Sequence, residues 1–258
     1  MNIGLALSGG GARGFAHVGV LKALLEEGCV IERISGTSAG AIVGALYGNG
    51  YSPDDIMDIF GKTKILSVLS LSTRLGGFLK HEKVEKFMKT HLTHDSFEGL
   101  RLPLTVNATD IEKGQIVYFD HGPLVRPLLA SSCIPVLFEP VPFQGRLLVD
   151  GGILNNLPVE PLLGRCDFIV GLHTNPCGAT LPLVNMRTVM ERSLLLAIQN
   201  NVRDRAARCD FYIEPPDLCT FTTLDASKAR AIFDIGYAYA KRMAPQLRST
   251  IYEVRSTN

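Results

Sequence analysis

The sequence predicts a parallel α/β fold, a largely parallel central sheet with helices on both faces. Three observations carry this expectation. Short apolar runs alternate with helical patterns from the first residues onward, and strand, helix, strand, helix at this spacing implies right-handed crossovers between parallel strands. The strand-to-helix junctions are rich in glycine, at Gly9 to Gly14 and again at Gly36 to Gly40, as tight turns require. Finally, 258 residues with 46% hydrophobic and 20% charged side chains can bury a full core without metals or disulfides.

Ile3 to Leu7 is a short apolar strand ended by glycines. Phe15 to Glu27 follows, with apolar residues at 18, 21, 24 and 25 forming a helical stripe that Gly28 stops. Val30 to Ile34 is the second strand, Ser35 to Ser38 a tight turn, and Ala39 to Tyr47 a helix of small residues ending at Gly48. Ser52 caps a third helix that has Pro53 in its first turn. Thr63 to Phe78 alternates apolar residues with Ser and Thr and reads as mobile cover over the framework. His81 to His91 is helical, with Lys83, Lys86 and Lys89 opposite Val84, Phe87 and Met88. Leu102 to Thr109 and Gln115 to Asp120 are strands joined through the turn at Glu112-Lys113-Gly114. Leu124 to Ala130 is a short helix, and Arg146 to Val149 and Asp167 to Leu172 are strands. Met186 to Arg208 is a long helix of mixed charge whose pattern allows a subunit interface as well as core packing. A short strand at Phe211 to Ile213 and a last helix from Asp225 to Met243 follow.

Charge excludes one class of partner. Lys and Arg number 26 against 25 Asp and Glu, a net charge of +1, so the chain lacks the basic footprint of nucleic-acid binding. The six cysteines, at 29, 133, 166, 177, 209 and 219, form no C-x-x-C pair or zinc spacing and are expected reduced, as in the cytoplasm. The first residues carry no basic segment ahead of an apolar stretch, so no secretory leader is expected. No apolar run approaches the ~18–20 residues of a membrane span, and there is no repeat or low-complexity tract.

Three sites carry chemistry. Gly36-Thr37-Ser38-Ala39-Gly40 is a G-x-S-x-G sequence between a strand and a helix. A serine on such a turn exposes its Oγ, the glycines remove Cβ atoms that would collide, and the following helix offers its N-terminal dipole to developing negative charge. Ser38 is therefore the candidate nucleophile; an ordinary turn of small residues is the plain alternative. Gly9-Gly10-Gly11-Ala12-Arg13-Gly14 follows the first strand. Its N–H groups suit either a phosphate or the oxyanion of a tetrahedral intermediate. The segment also matches the dinucleotide pattern G-x-G-x-x-G, with Glu32 near the distance of a ribose-binding acid, although Glu32 lies inside the second strand. Arg13 is either an anion-supporting residue or an exposed helix-start residue. Asp150-Gly151-Gly152 ends the strand Leu147 to Val149, with Asn155-Asn156-Leu157-Pro158 beyond. A carboxylate there could deprotonate a serine, or it is a turn aspartate before glycine.

The base itself stays open at this level. His173 is the only one of six histidines after Asp150, so it alone fits the conventional Ser, Asp, His order. His17 suits packing behind the glycine loop, and His91 and His94 lack a third ligand and suit solvent exposure. A desolvated aspartate bonded directly to the serine would need no histidine.

Together and in this order, GGGARG, GTSAG and DGG resemble the patatin-like phospholipase family. The resemblance covers residues 3–161, including the helix after the glycine loop and the segment Ala130 to Pro135. It implies a three-layer α/β/α fold, in which 3–161 is the catalytic core and 162–258 completes the same domain with strands and helices. It also implies a bacterial-type serine acyl hydrolase that uses a Ser–Asp dyad and neither metal nor cofactor. Carried over by position, Ser38 is the nucleophile and Asp150 the base. Gly10 and Gly11 form the oxyanion hole with Arg13 in support, and Gly9, Gly14, Gly36, Gly40, Gly151 and Gly152 are motif glycines. His173 becomes local structure. The aspartate motif is Asp-Gly-Gly where Asp-Gly-Ala is more frequent, and residues after about 180 match no family motif.

The expected function is cleavage of fatty-acyl esters, of phospholipase A, lysophospholipase or carboxylesterase type, by a cytoplasmic protein with a lipid or acyl-ester substrate. Ile65 to Leu79 would guard an acyl channel, touch a membrane surface transiently, or simply pack on the core. The rivals are a nucleotide-binding oxidoreductase built on the glycine loop and a non-catalytic regulatory protein that keeps the fold. Oligomeric state is not legible.

Overall fold

The computed structural model describes residues 2–62, 82–135, 138–176, 186–223 and 226–257. β1 (Ile3–Leu7) is buried throughout, and a 3-10 turn at Gly11–Gly14 leads into α1 (Phe15–Glu26). β2 (Ile31–Gly36) runs through Thr37 and Ser38 into α2 (Ala39–Gly48), followed by α3 (Pro53–Lys62) and α4 (Glu82–His91). β3 (Leu104–Asp110) and β4 (Gln115–Phe119) form a hairpin, and α5 (Val125–Ser131), β5 (Val141–Phe143) and β6 (Arg146–Asp150) come next. β7 (Phe168–Leu172), α6 (Met186–Ala206), β8 (Phe211–Ile213) and α7 (Ala229–Thr257) complete the order.

Most boundaries match expectation, and the exceptions have physical reasons. Val30 is 65% exposed and precedes the second strand, which begins at Ile31. β5 was not expected: it has three residues, one of them Pro142, and exists by pairing with β6. The last helix does not stop at Met243 but runs through Pro245 to Thr257. Proline removes one backbone hydrogen bond, yet Ala244 and Leu247 on either side are buried, and Lys241 and Arg248 both pair with Glu27 at the end of α1. The expected cover segment 63–78 and His81 lie outside the described residues, as does Asp225.

The sheet order is β5-β6-β3-β2-β1-β7-β8, with β4 also paired to β3. β3, β2, β1, β7 and β8 are parallel, and β4, β5 and β6 join antiparallel. Two cores give the layers. Ile3, Leu5 and Leu7 of β1 face a core shared with α1 to α5 and α7, whereas Ala6 faces a second core with Leu157, Ile198 and Val202, the last two from α6. The alternation of one strand between two cores is the signature of a sheet covered on both sides.

One detail of register places the site. Val106 pairs with Gly36 on one side and Phe119 on the other, and Ala108 pairs with Asp150 and Val117. Since β4 occupies one edge of β3, β2 and β6 share the opposite edge and run toward each other. Their carboxyl ends, at Gly36 and Asp150, meet across two residues of β3. The serine turn and the aspartate are therefore neighbours by topology.

Candidate active site

Ser38 occupies the turn between β2 and α2 with φ +52° and ψ −120°, a left-handed conformation that costs a non-glycine residue ~1–3 kcal/mol. The surroundings enforce it. The Thr37 N–H bonds the Leu7 carbonyl at 3.0 Å, the Thr37 hydroxyl donates to Asn107 Oδ1 at 2.6 Å, and the Ser38 N–H donates to Ser131 Oγ at 2.8 Å. A Cβ at Gly36 would stand 2.7 Å from the backbone of Ala41, and one at Gly40 would stand 2.5 Å from the Leu7 carbonyl oxygen. Both flanking glycines are thus required by close backbone approach.

Asp150 ends β6 and is 8% exposed. Burial pushes its carboxyl up to about 6, against the pull of hydrogen bonds from the Gly152 N–H and the Ser38 hydroxyl. The Gly152 bond is 2.8 Å long, and the Asp150 N–H donates to the Cys133 carbonyl at 2.9 Å. The segment at the end of α5 therefore holds both residues, Ser38 through Ser131 and Asp150 through Cys133.

The glycine loop closes a third side. A Cβ at Gly9 would lie 3.2 Å from that of Ser38, and one at Gly14 would lie 2.5 Å from that of Ala39. Gly11 has φ +54° and packs against the Thr223 carbonyl, so glycine is needed there. Among the described residues, neither the Gly10 nor the Gly11 N–H donates to a protein acceptor. Arg13 is buried, 2% exposed, and its guanidinium donates to the Phe221 carbonyl at 2.9 and 2.6 Å and to Asn175 Oδ1 at 3.4 Å. Asn175 in turn donates to the Gly9 carbonyl at 2.6 Å. Arg13 thus ties the loop to the segment around Phe221.

Other candidates fall elsewhere. Glu32 is the second residue of β2, beside the start of β1, whereas the glycine loop follows the end of β1. The two lie at opposite ends of parallel strands, which removes the ribose-acid geometry of the dinucleotide reading. His173 follows β7, two strands from β2, and is buried with Nδ1 on Glu214 at 2.8 Å. His17 is fully buried, bonded to the Ser8 carbonyl at 2.7 Å and held neutral, its value lowered to about 4 by burial. His94 is exposed as expected, but His91 is half-buried against the Phe87 ring. Among the described residues, no three His, Cys, Asp or Glu side chains group as a metal site would need.

Beside Ser38 lies a cleft with about 830 Å³ of empty space, part of it open to solvent. Apart from Ser38, Ser132 and the glycines, its lining is hydrophobic, with Phe15, Phe60, Phe87, Met88, Ile134 and Phe138 prominent. Sequence reasoning missed several supports of this site: Asn107, Asn175, and Asn201 on α6, which bonds the loop after Asp150, while Ser131 lay in the segment Ala130 to Pro135 of the family resemblance but was given no role. Each acts through a contact far along the chain, for which a short motif carries no signal.

A sequence profile described as Patatin-like phospholipase matches residues 5–163. An uncharacterized NTE family protein of Mycobacterium tuberculosis is 38% identical over 176 residues, which cover 67% of this chain and 49% of that protein. A lysophospholipase of Aspergillus fumigatus, nte1, is 29% identical over 289 residues, covering 96% of this chain and 18% of the relative. The chain thus spans about half the length of the first and under a fifth of the second. VipD of Legionella pneumophila has a similar fold, with a TM-score of 0.57 at 16% identity over 95% of this chain and 67% of that one. The match of the profile over most of the chain, on the same glycine loop, serine turn and aspartate loop that the fold brings together, makes this chain a member of the patatin-like phospholipase family.

Proposed function

We propose that the chain is a serine acyl hydrolase that cleaves fatty-acyl esters through Ser38 and Asp150. What supports this reading is the juxtaposition: a serine held at a strained turn, a buried aspartate that the register of β2 and β6 on β3 brings beside it and whose carboxyl burial raises to about 6, and an apolar cleft next to Ser38. Asp150 takes the Ser38 proton as Oγ attacks the acyl carbonyl. The Gly10 and Gly11 N–H groups, which donate to no protein acceptor among the described residues, and the start of α2 would bind the oxygen that becomes negative. Collapse of the tetrahedral intermediate expels the alcohol, which regains the proton from Asp150. Water, deprotonated by the same carboxylate, then attacks the acyl-serine, and Asp150 returns that proton to Ser38 Oγ as the fatty acid leaves. A base near 6 is ionised at neutral pH and still basic enough to share a serine proton.

The apolar cleft supports a long acyl chain as the recognised part, and the lysophospholipase name of the Aspergillus relative supports a single-chain lipid ester. The test is hydrolysis of a lysophospholipid and of a short soluble ester by the parent and by Ser38→Ala. Both substrates should turn over in the parent, with a loss of at least ~1,000-fold in the variant. Equal rates in the two proteins would overturn it.

A further inference from the structure

Asn201 of α6 makes three hydrogen bonds to the loop that follows Asp150. Its Nδ2 donates to the carbonyls of Gly152 at 3.0 Å and Ile153 at 3.3 Å, and its Oδ1 accepts the Asn156 N–H at 2.9 Å. Gly152 is therefore held from two sides, because its N–H donates to the Asp150 carboxylate at 2.8 Å. Asn156 extends the chain of contacts to the glycine loop: its side chain donates to the Gly9 carbonyl at 3.3 Å, and its carbonyl accepts the Gly9 N–H at 3.2 Å. The helix is fixed at this point. Ile198 and Val202 are buried with Leu157 and Leu162, and Arg205 donates to Glu160 Oε1 at 2.8 Å and to the Asn201 carbonyl at 2.5 Å.

We infer that Asn201 is a positioning residue for the proposed hydrolysis: it sets the orientation of the Asp150 carboxylate and, through Asn156, the spacing between the aspartate loop and the glycine loop. This role rests on the reading of Asp150 as the base. It places part of the site's control on α6, which lies outside the matched residues 5–163. The physical link is the Gly152 N–H. That bond is one of two that draw the Asp150 carboxyl down against burial, so releasing the Gly152 carbonyl weakens it and raises the proton affinity of Asp150 further.

The experiment measures kcat, KM and the pH profile on a soluble ester, fluorophosphonate labelling and Tm for the parent, Asn201→Ala, Asn201→Asp and Arg203→Ala. Asn201→Ala is expected to lose ~10–100-fold in kcat with KM within about twofold. Its acid limb should move up by ~0.5 pH unit or more. Asn201→Asp keeps the acceptor but sets a carboxylate against two carbonyls, and its loss should be at least as large. Arg203, exposed on the same helix, should leave the parent values unchanged. An Asn201→Ala protein with the parent's kcat and acid limb overturns the inference. So does a kcat loss that vanishes when rates are scaled to the fraction labelled at Ser38. A parent that itself fails to label at Ser38 overturns the hydrolase reading, and this role with it.

Discussion

Burial of the Asp150 carboxyl has two consequences that separate chemistry from stability. As the proposed base it must be ionised, so kcat/KM should rise with pH through about 6 and level off above it. A limb near 4, the range of an ordinary aspartate, would contradict this. The same shift opposes folding. Because the folded value of about 6 lies above the ordinary 3.8, the native state binds the proton more tightly than the unfolded chain, and stability falls as pH rises through that window. Asp150→Asn, which keeps an acceptor for the Gly152 N–H, should therefore be more stable than the parent at pH 8, by on the order of 2–3 kcal/mol. The gap should close below about pH 4. Paired thermal melts at pH 4 and pH 8 read the difference, and equal Tm values at pH 8 would contradict a carboxylate kept in a desolvated place. At this scale Ser38 stood out as a candidate from its glycine-flanked turn, whereas Asp150 could be read as a turn aspartate and was singled out as the base only by the family resemblance. Asn107, which holds the serine turn, was not legible, because nothing local distinguishes it from an ordinary polar residue, and Ser131 entered only as part of the segment Ala130 to Pro135, without a role.

At the scale of elements, α3 and α4 form an aromatic wall of the cleft. Phe60 packs edge-on against Phe15, with centroids 5.2 Å apart, and stacks on Phe87 at 5.7 Å. Phe60→Leu removes ring volume from that wall at a modest cost in packing. Long acyl esters should gain relative to short ones, by at least about threefold in the ratio of their kcat/KM values, given ~0.8 kcal/mol for each newly buried methylene. An unchanged chain-length profile would show that the acyl chain does not reach these rings. The elements themselves were largely readable. β1, β7 and the helix after Ser38 follow from apolar runs punctuated by glycine, and the parallel order follows from their alternation. β5 escaped because three residues with a proline carry no strand pattern of their own. α7 escaped because Pro245 reads as a stop, whereas packing on α1 carries the helix past it.

Across the whole molecule, the last third of the chain completes what the motifs begin. β7 and β8 extend the sheet beside β1, α6 covers the second core, and α7 lies against α1. The α1–α7 contact depends on two glycines. A Cβ at Gly19 would strike the Phe233 carbonyl and stand 2.8 Å from the Tyr237 nitrogen, and one at Gly236 would stand 2.8 Å from the Cα of Ala16. Gly19→Ala should therefore lower stability by ~1–3 kcal/mol, read as a fall in Tm, while the folded fraction still labels at Ser38. The α1–α7 contact was not visible in the sequence, since glycines inside helices do not announce their partner. The proposed mechanism draws on protein groups alone, so EDTA should leave the hydrolysis rate of the purified protein unchanged. Whether Ser38 is a nucleophile activated by Asp150 is read most directly from fluorophosphonate labelling followed by intact mass on the parent, Ser38→Ala and Asp150→Asn. The parent should take one adduct, Ser38→Ala none, and Asp150→Asn should label ~100-fold or more slowly. A folded parent that takes no label, or an adduct that persists in Ser38→Ala, would contradict this role of Ser38.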